Sequence, residues 1–416
     1  MALHSQSSGV PPFEQAYEAV LRYCQDQKPA GKETVSLDQS LGRVLAEPLI
    51  ADRDFPPFPR ATRDGYAVRA ADVKTGASLR VVGQVKAGSG YSGEVRAGQA
   101  VEIMTGAPVP AGADAVVMVE YTSRRNDQVE IGRSCAAGEN IVPAGAEAQS
   151  GRQMLPVGAR LGFAQIAAAA STGNVQLQVF RKPRVAILST GDEIVEASRQ
   201  PGPHQIRNSN SHSLAAQVVA AGGEPEQLPI APDHQPDLER LIRQARTASL
   251  LLLSGGVSMG KFDLVEQALD ALGARYFFTG ALIQPGKPVV FGEARIAENH
   301  PTPFFGLPGN PVSTMVTFDL FVRPVLQALS GAPPDRLPSV KARLAHEARF
   351  KSGLTRFLPA VLRGGWQDPE VALAPWQGSG DFLAAARANC YLVVPPDQEL
   401  MAAGEMVSIL LRFCPF

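Results

Sequence analysis

The sequence has few cysteines and histidines, and neither residue type is grouped. Its 416 residues include 4 cysteines and 6 histidines. The cysteines, Cys24, Cys135, Cys390 and Cys414, form no C-x-x-C pair and no other metal-binding spacing. No two histidines stand at the spacing of ligands on one helix. These absences argue against a disulfide scaffold and against a site in which histidine or cysteine holds a metal. They favour a reduced compartment, so we expect a cytoplasmic protein.

Long apolar runs and an excess of positive charge are also missing. No window approaches the ~20 apolar residues that span a bilayer. The first residues have neither the basic nor the apolar region of a secretory signal. Lys plus Arg number 39 and Asp plus Glu number 40, a net charge of −1, whereas obligate nucleic-acid binders are basic. We therefore expect neither a membrane nor a nucleic acid among the partners.

The length and the changes in texture along the chain predict an α/β multidomain fold. Pro12–Gln27 has helical spacing of apolar residues, while β-branched runs among glycines and prolines from Ile50 to about Val142 indicate a small β domain. Short strand patterns return after the proline-rich linker that follows Gly331. The predicted domains are a discontinuous N-terminal α+β domain (1–50 with 143–180), the small β domain (51–142), a central α/β domain (181–331) and a C-terminal β barrel (332–416).

The central domain contains three turns that each follow a short apolar run and precede a helical pattern. They are Ser189-Thr-Gly-Asp-Glu193, Ser254-Gly-Gly-Val-Ser258 and Gly306-Leu-Pro-Gly-Asn-Pro311. Strands are expected near Val185–Ser189, Leu228–Ile230, Leu250–Leu253, Val289–Phe291 and Phe304–Gly306, and helices near Ser211–Ala221, Asp237–Thr247, Phe262–Leu272 and Pro311–Leu329. Apolar strands between helices predict a three-layer α/β/α domain around a mostly parallel sheet. Ligands of such sheets bind beyond the carboxyl ends of the strands, where these turns would lie.

Two of these turns carry anion-binding chemistry that also has a purely structural explanation. The glycines after Ser254 would let backbone N–H groups cradle a phosphate or another oxyanion, but a tight turn needs glycine for its backbone angles alone. Asn310 is a candidate N-cap and Pro311 a first helical residue. That arrangement needs no ligand, and it also leaves helix N–H groups that attract anions.

Carboxylates and one lysine complete the candidate chemistry. Asp192 and Glu193 follow a predicted strand, Asp263 follows the glycine turn, and Asp64 lies in an Arg-Asp-Gly-Tyr-Ala segment. Such carboxylates suit Mg²⁺, although helix capping or a solvated turn explains each one separately. Lys287, between two prolines, would meet a phosphate as a point charge or lie in a surface turn.

Eight motifs in one order resemble a known family. They are Arg63-Asp-Gly-Tyr-Ala-Val68, Ile103-Met-Thr-Gly-Ala-Pro108, Gly112-Ala-Asp-Ala-Val-Val117, Ser189-Thr-Gly-Asp-Glu193, Ser254-Gly-Gly-Val-Ser258, Pro285-Gly-Lys-Pro288, Leu307-Pro-Gly-Asn-Pro-Val312 and Gln377-Gly-Ser-Gly380. Their order resembles that of the molybdopterin molybdenumtransferase family, MoeA, which includes the E domain of gephyrin. The resemblance extends from about Phe13 to Leu411.

This resemblance implies both an architecture and a reaction. The protomer would be elongated, its central domain would bind molybdopterin, and it would work as a homodimer with a cleft between that domain and the small β domain of the partner. The substrates would be adenylylated molybdopterin and molybdate. With Mg²⁺ as cofactor, the enzyme would insert molybdenum and release AMP. Molybdopterin adenylyltransferase would be the upstream partner.

The resemblance also implies roles for individual residues. The implied catalytic positions are Asp64, Thr105, Glu147, Asp192, Glu193, Asp263 and Lys287, with Asp192, Glu193 and Asp263 as metal ligands. The implied substrate-binding positions are Asn210, Ser254, Gly255, Gly256, Ser258, Pro308, Gly309, Asn310, Pro311, Arg356 and Ser379.

The sequence departs from the family pattern at several of these motifs. Arg63 replaces a methionine, Glu147 an aspartate, and Gln284 the first lysine of Lys-Pro-Gly-Lys-Pro; Arg356 alone remains of an arginine-rich segment. The changes at Gln284 and around Arg356 remove positive charge, so Gln284→Lys is expected to tighten binding of an anionic ligand. Alternative functions are a diverged paralogue that binds the pterin or a partner as a scaffold, or one that prefers tungstate. A hydrolase of another nucleotide is a third, against which the two β domains argue.

Overall fold

A computed structural model describes residues 9–256, 264–297 and 300–412, and the chain divides into two compact units. The first contains residues up to Val35, Gly42–Ala46 and the chain from Gln178 onward, and the second contains Ser36–Leu41 and Glu47–Leu177. The α/β multidomain class is confirmed. The boundaries of the four expected domains stay predictions.

The first unit is built around a six-stranded sheet. Its strands, in chain order, are β1 (Arg184–Ser189), β2 (Glu224–Gln227), β3 (Leu250–Ser254), β4 (Arg275–Thr279), β5 (Val290–Ala294) and β6 (Thr302–Leu307). They lie in the order β2-β1-β3-β6-β5-β4, and β5 alone runs against the others. Every residue of β3 and β6 is buried, as expected for strands covered on both faces. The mostly parallel sheet is confirmed.

Helices pack on both faces of this sheet because alternate residues of each strand enter two separate cores. Val185 and Ile187 of β1 join the core of the helices Phe13–Gln25, Asn210–Ala220 and Pro311–Leu329. Ala186 and Leu188 join the core of the helices Gln235–Gln244 and Leu264–Ala271. The period of two that separates the strand faces thus produces the predicted three layers.

Two strands differ from the sequence-based prediction. The strand expected at Leu228–Ile230 lies four residues earlier as β2, whose sequence Glu-Pro-Glu-Gln is polar because it forms one edge of the sheet. The opposite edge, β4, was not predicted. Its sequence Arg-Tyr-Phe-Phe-Thr has only one buried residue, so no continuous apolar run marks it.

The helix Pro311–Leu329 contains one irregular turn. It consists of the α-helical segments Pro311–Thr317 and Arg323–Leu329, joined by a π-helical turn at Phe318–Val322. Among the described residues it is the one helix with the length and composition of a membrane span, but 83% of it is buried within the protein. Core helices pass the same test.

The C-terminal part of the first unit is a closed barrel, as predicted. Its strands are Ser339–Leu344, Thr355–Arg363, Glu370–Leu373, Cys390–Val394 and Met406–Leu411. Closure comes from the antiparallel pairing of Thr355–Arg363 with both Glu370–Leu373 and Cys390–Val394. The short strand Ile283–Gln284 extends the barrel by pairing with Thr355 and Arg356.

The second unit contains its own six-stranded sheet, at the position of the predicted small β domain. The strands, in spatial order, are Ala115–Met118, Gly65–Val68, Gln99–Ile103, Ser78–Val85, Gln128–Ile131 and Thr122–Arg125. The unit also contains the helix Phe163–Ser171.

Candidate functional site

A pocket lies at the carboxyl ends of β1, β3 and β6 in the first unit. Parallel pairing sets Ser189 beside Ser254, and Ser254 beside Leu307, so these three adjacent strands end level with one another. The turns that follow them border a cavity of about 470 Å³. Its lining includes Thr190, Glu193, Arg207, Asn208, Asn210, Asp233, Ser254, Gly255, Gly256, Pro288, Pro308, Gly309, Asn310 and Pro311. The structure thus brings together most of the predicted substrate-binding positions.

The glycines after Ser254 allow two turns to approach closely. Gly255 has φ +93°, and a Cβ there would lie 2.6 Å from the carbonyl oxygen of Thr190. Gly256 has φ +65°, and a Cβ there would lie 2.8 Å from the Thr190 hydroxyl. The N–H of Gly255 donates to the carbonyl of Leu307 at 3.2 Å. It is therefore not available to an anion, whereas the sequence suggested that the N–H groups of this turn would bind one. Ser258 lies outside the described residues.

Asn210 joins the turns after β3 and β6. Its Nδ2 donates to Ser254 Oγ at 2.9 Å and to the Gly309 carbonyl at 2.7 Å. The contact with a carbonyl oxygen requires a donor and therefore fixes which way the amide points. Asn208 joins the end of β1 to the start of the helix Asn210–Ala220. Its Oδ1 accepts from Ser189 Oγ at 3.2 Å and from the N–H of Ser211 at 3.1 Å.

Two polar atoms of this region are buried without a partner. Thr190 Oγ1 and Asn210 Oδ1 have no hydrogen-bond partner within the described part of the chain. Thr190 is 3% exposed and Asn210 is 8% exposed. A buried polar atom without a hydrogen bond costs free energy. In native folds such an atom is typical of a site where a ligand or an ordered water supplies the missing hydrogen bond.

Asn310 connects the pocket to the C-terminal barrel region. It occupies the N-cap position of the helix from Pro311, as predicted, but its side chain makes no capping hydrogen bond. Instead, its Nδ2 donates to Ser379 Oγ at 2.8 Å, and the Ser379 carbonyl accepts from the N–H of Val312 at 3.0 Å. Ser379 is thereby placed at the edge of the pocket.

The carboxylates at this pocket suit a divalent cation bound together with a phosphate. Glu193 and Asp233 line the cavity, whereas Asp192 Oδ1 accepts from the N–H of Asp233 at 3.1 Å. No group of three potential ligands lies together among the residues described, and the predicted ligand Asp263 is outside them. Mg²⁺ usually takes one or two carboxylates plus substrate phosphates, so this pair fits the ion.

The two predicted cationic positions lie in different surroundings. Lys287 is exposed on the turn whose Pro288 lines the pocket. Arg356 is buried, with 5% exposure; its Nε donates to Gln284 Oε1 at 2.8 Å and its guanidinium donates to the Leu354 carbonyl at 3.0 Å. Burial lowers the pKa of this guanidinium. Arg356 therefore holds two chain segments together through hydrogen bonds.

The remaining predicted catalytic residues lie in the second unit. Asp64 Oδ1 accepts from the N–H of Thr105 at 2.6 Å and from its hydroxyl at 2.7 Å. These two donors lower the pKa of the exposed Asp64 carboxyl. Glu147 forms an ion pair with Arg60 at 2.7 Å.

Comparison with known proteins finds one family along nearly the whole chain. Residues 11–173 match the model of the MoeA N-terminal region (domain I and II), 186–328 that of a probable molybdopterin binding domain, and 341–411 that of the MoeA C-terminal region (domain IV). The molybdopterin molybdenumtransferase of a Nostoc species is 36% identical, covering 91% of this chain and 88% of that protein. The Bacillus subtilis molybdopterin molybdenumtransferase is 33% identical, covering 95% of this chain and 93% of that protein.

The chain belongs to the MoeA family of molybdopterin molybdenumtransferases.

A solved MoeA structure shows that the likeness includes the fold. The molybdopterin biosynthesis MoeA protein from Pyrococcus horikoshii OT3 matches with a TM-score of 0.78 and 29% identity, covering 97% of this chain and 100% of that one. The family resemblance predicted from the eight motifs is therefore confirmed.

Several pocket residues of this MoeA chain were not predicted from the sequence. Thr190, Asn208 and Asp233 line the pocket, and Arg60 pairs with Glu147. The polar run Asn208-Ser-Asn210 directly before a helix was a usable signal, because such residues favour helix starts at functional turns. Asp233 has no comparable local signal, since its position depends on how the chain leaves the edge strand β2 before the helix Gln235–Gln244.

Proposed function

We propose that this protein inserts molybdenum from molybdate into adenylylated molybdopterin and releases AMP. The observation that carries the proposal is the pocket at the ends of β1, β3 and β6, built by three of the family motifs and containing the buried atoms Thr190 Oγ1 and Asn210 Oδ1. A cavity of about 470 Å³ can enclose a substantial part of such a substrate.

The described residues would mainly bind and orient the substrates. The start of the helix after Asn310 would present its positive dipole end to an anionic group, while the N–H of Val312 donates to the Ser379 carbonyl. Asn210 holds the turns of β3 and β6 in register beneath that group. Much of the acceleration in transfers of this kind comes from positioning and charge stabilisation.

Glu193 and Asp233 would hold Mg²⁺ together with the substrate phosphates. The ion would supply neutralisation of phosphate charge during release of AMP. The two Thr105 donors stabilise the charged form of Asp64 and lower its pKa, and they orient the carboxylate as a hydrogen-bond acceptor and a potential cation ligand.

The proposal extends to the setting of the reaction. The enzyme would act in the cytoplasm as a homodimer, and a molybdopterin adenylyltransferase would supply its substrate. Light scattering after size-exclusion chromatography tests the oligomer, since a monomeric mass would contradict it.

A single-turnover assay tests the reaction itself. Protein, adenylylated molybdopterin, Mg²⁺ and either molybdate or tungstate are mixed, and AMP release and metal retained on the pterin are followed. We expect AMP release coupled to retention of molybdenum. Tight pterin binding without AMP release would contradict the proposal and favour a scaffold paralogue, and insertion of tungsten alone would reassign the metal.

Asn210→Asp is the matched variant for that assay. The substitution preserves size but sets an oxygen opposite the Gly309 carbonyl, where Nδ2 now donates at 2.7 Å. We expect a loss of turnover, whereas a fully active variant would remove this amide from the binding site.

A further inference from the structure

A carboxylate inside the first unit accepts hydrogen bonds from two other elements. Asp319 lies on the π-helical turn Phe318–Val322 of the long helix. Gln217 Nε2, from the helix Asn210–Ala220, donates to its Oδ1 at 3.0 Å, and the Tyr391 hydroxyl, from the barrel strand Cys390–Val394, donates to its Oδ2 at 2.8 Å. Tyr391 is 1% exposed. Three elements far apart in sequence thus meet on one carboxylate.

The orientation of Gln217 is fixed by a second contact. Its Nε2 also donates to the carbonyl of Met315 at 3.1 Å. Because a carbonyl oxygen only accepts hydrogen bonds, the amide nitrogen and not the amide oxygen must face it. Gln217 therefore bridges two successive turns of the long helix. Its Oε1 is buried and has no hydrogen-bond partner in the described part of the chain. Gln217 therefore makes these contacts only through the N–H groups of Nε2.

The same three structural parts meet a second time at the pocket. Asn210 begins the helix that carries Gln217, Asn310 immediately precedes the helix that carries Asp319, and Ser379 belongs to the C-terminal region that carries Tyr391. Asn210 donates to the Gly309 carbonyl at 2.7 Å, and Asn310 donates to Ser379 Oγ at 2.8 Å. Asn210 and Gln217 are two helical turns apart, roughly 10 Å along the axis.

We propose that Asp319, Gln217 and Tyr391 form an internal clamp that positions Asn210 and Asn310 at the pocket. They are positioning residues, and the inference rests on the proposed function because it deepens the account of the same site. Asp319 lies on the π-helical turn and accepts one hydrogen bond at each of its two oxygens, from Gln217 and from Tyr391. Hydrogen bonds to a partly buried carboxylate constrain distance and direction, whereas apolar contacts would let the helices slide.

The composition of the clamp argues against a role in stability alone. Burial raises the pKa of the Asp319 carboxyl despite the donors of Tyr391 and Gln217, so the carboxylate is held at an energetic disadvantage. An apolar residue would pack the same space without that penalty. A polar network that is costly and geometrically strict is expected where relative placement of elements matters.

Tyr391→Phe tests the clamp, with Tyr276→Phe as the matched control. The control removes another tyrosine hydroxyl that donates to a carboxylate, that of Asp270 at 2.9 Å, on the edge strand β4. We expect Tyr391→Phe to lower kcat/KM for adenylylated molybdopterin about tenfold and to raise amide hydrogen exchange in residues 209–213 and 310–314. Tyr276→Phe should change neither. Gln217→Met, which removes the donor and keeps the length, should repeat the Tyr391→Phe result.

The readouts separate failure of the clamp from failure of the proposed function. Lack of turnover by the unmodified protein would contradict the proposed function, and hydrogen exchange would still test the clamp. Folded Tyr391→Phe and Gln217→Met proteins with unchanged exchange in both segments would overturn the clamp. If Tyr391→Phe does not fold, Gln217→Met decides alone. An equal loss of kcat/KM in Tyr276→Phe would also overturn it, because the effect would then follow general destabilisation.

Discussion

Arg356 and Gln284 hold each other through one hydrogen bond, 2.8 Å from Nε to Oε1, within a parallel pairing of their strands. The amide oxygen is the partner that a buried guanidinium requires. Gln284 replaces a lysine of the family motif. The expectation that Gln284→Lys tightens ligand binding stays a prediction, but the hydrogen bond to Arg356 adds a structural cost to that substitution.

Gln284→Lys is therefore expected to destabilise the protein. The variant would place a second cation against Arg356 and remove its acceptor, at a cost of about 1–3 kcal/mol of unfolding free energy. Urea denaturation measures the loss. Gln284→Glu supplies an acceptor of the same size and should retain stability. If the lysine variant is as stable as the glutamate variant, the hydrogen bond does not carry the stabilisation assigned to it.

Asp319→Asn should make stability less dependent on pH. The raised pKa of Asp319 means that its stabilising contribution is fully present below the unfolded pKa, about 4, and is lost as pH rises through the folded pKa. Tyr391, Gln217, Arg412 and Arg323 face the carboxylate and oppose the shift. Asparagine is neutral throughout, so the variant's stability relative to the parent should rise with pH from about 4 upward.

Asp237→Asn provides the opposite sign for comparison. Hydrogen bonds from His234 and Arg240 lower the pKa of Asp237. Its contribution is present above the unfolded pKa and is lost as pH falls through the folded value, so this variant should lose stability relative to the parent as pH rises. Denaturation from about pH 2 to pH 8 measures both trends, because the Asp237 contribution changes below about pH 4 and the Asp319 contribution above it. Parallel trends in the two variants would refute the assigned surroundings of Asp319.

Thr105→Val should raise the pKa of Asp64. The substitution removes the hydroxyl donor at 2.7 Å and keeps the backbone donor at 2.6 Å, so part of the lowering remains. Carbon-13 NMR titration of the carboxyl measures the change, and the acid limb of kcat/KM should move to higher pH with it. Thr105→Ser retains the hydroxyl and should behave like the parent. A valine variant with an unshifted titration would show that the hydroxyl has no influence.

Gly255→Ala should destabilise the pocket while Gly309→Ala is tolerated. At Gly255 the backbone has φ +93° and a Cβ would lie 2.6 Å from the Thr190 carbonyl oxygen, whereas at Gly309 it would lie 3.7 Å from the Gly255 Cα. The left-handed backbone alone costs alanine more than about 1 kcal/mol. Thermal unfolding compares the two proteins, and equal melting temperatures would mean that the two turns adjust to the added methyl group.

The central sheet was predictable where its strands are buried on both faces. Leu250–Leu253 and Phe304–Phe305 are unbroken apolar runs, and the turns after them carry family motifs, so their meeting at one edge followed from parallel pairing. The edges were not predictable in the same way. Glu224–Gln227 is polar and forms its ladder only because the neighbouring strand β1 is already in place.

Contacts between distant segments were beyond sequence reasoning. Asp319 is 102 residues from Gln217 and 72 residues from Tyr391. The sequence around each of these residues gives no indication of the other two as its partners. A carboxylate within the mainly apolar helix Pro311–Leu329 was the available signal. It indicated a partnered interior position without identifying the partners.

The N-terminal helix Phe13–Gln25 has a consequence for synthesis on the ribosome. Phe13 packs against Phe321 and Phe357, with ring centroids at 5.9 Å and 4.8 Å, so its partners are translated roughly 300 residues later. At ~5–20 residues per second, roughly 15–60 s pass before they emerge. During that time the nascent chain carries an amphipathic helix whose apolar face is uncovered. The segment made first is therefore among the last to dock.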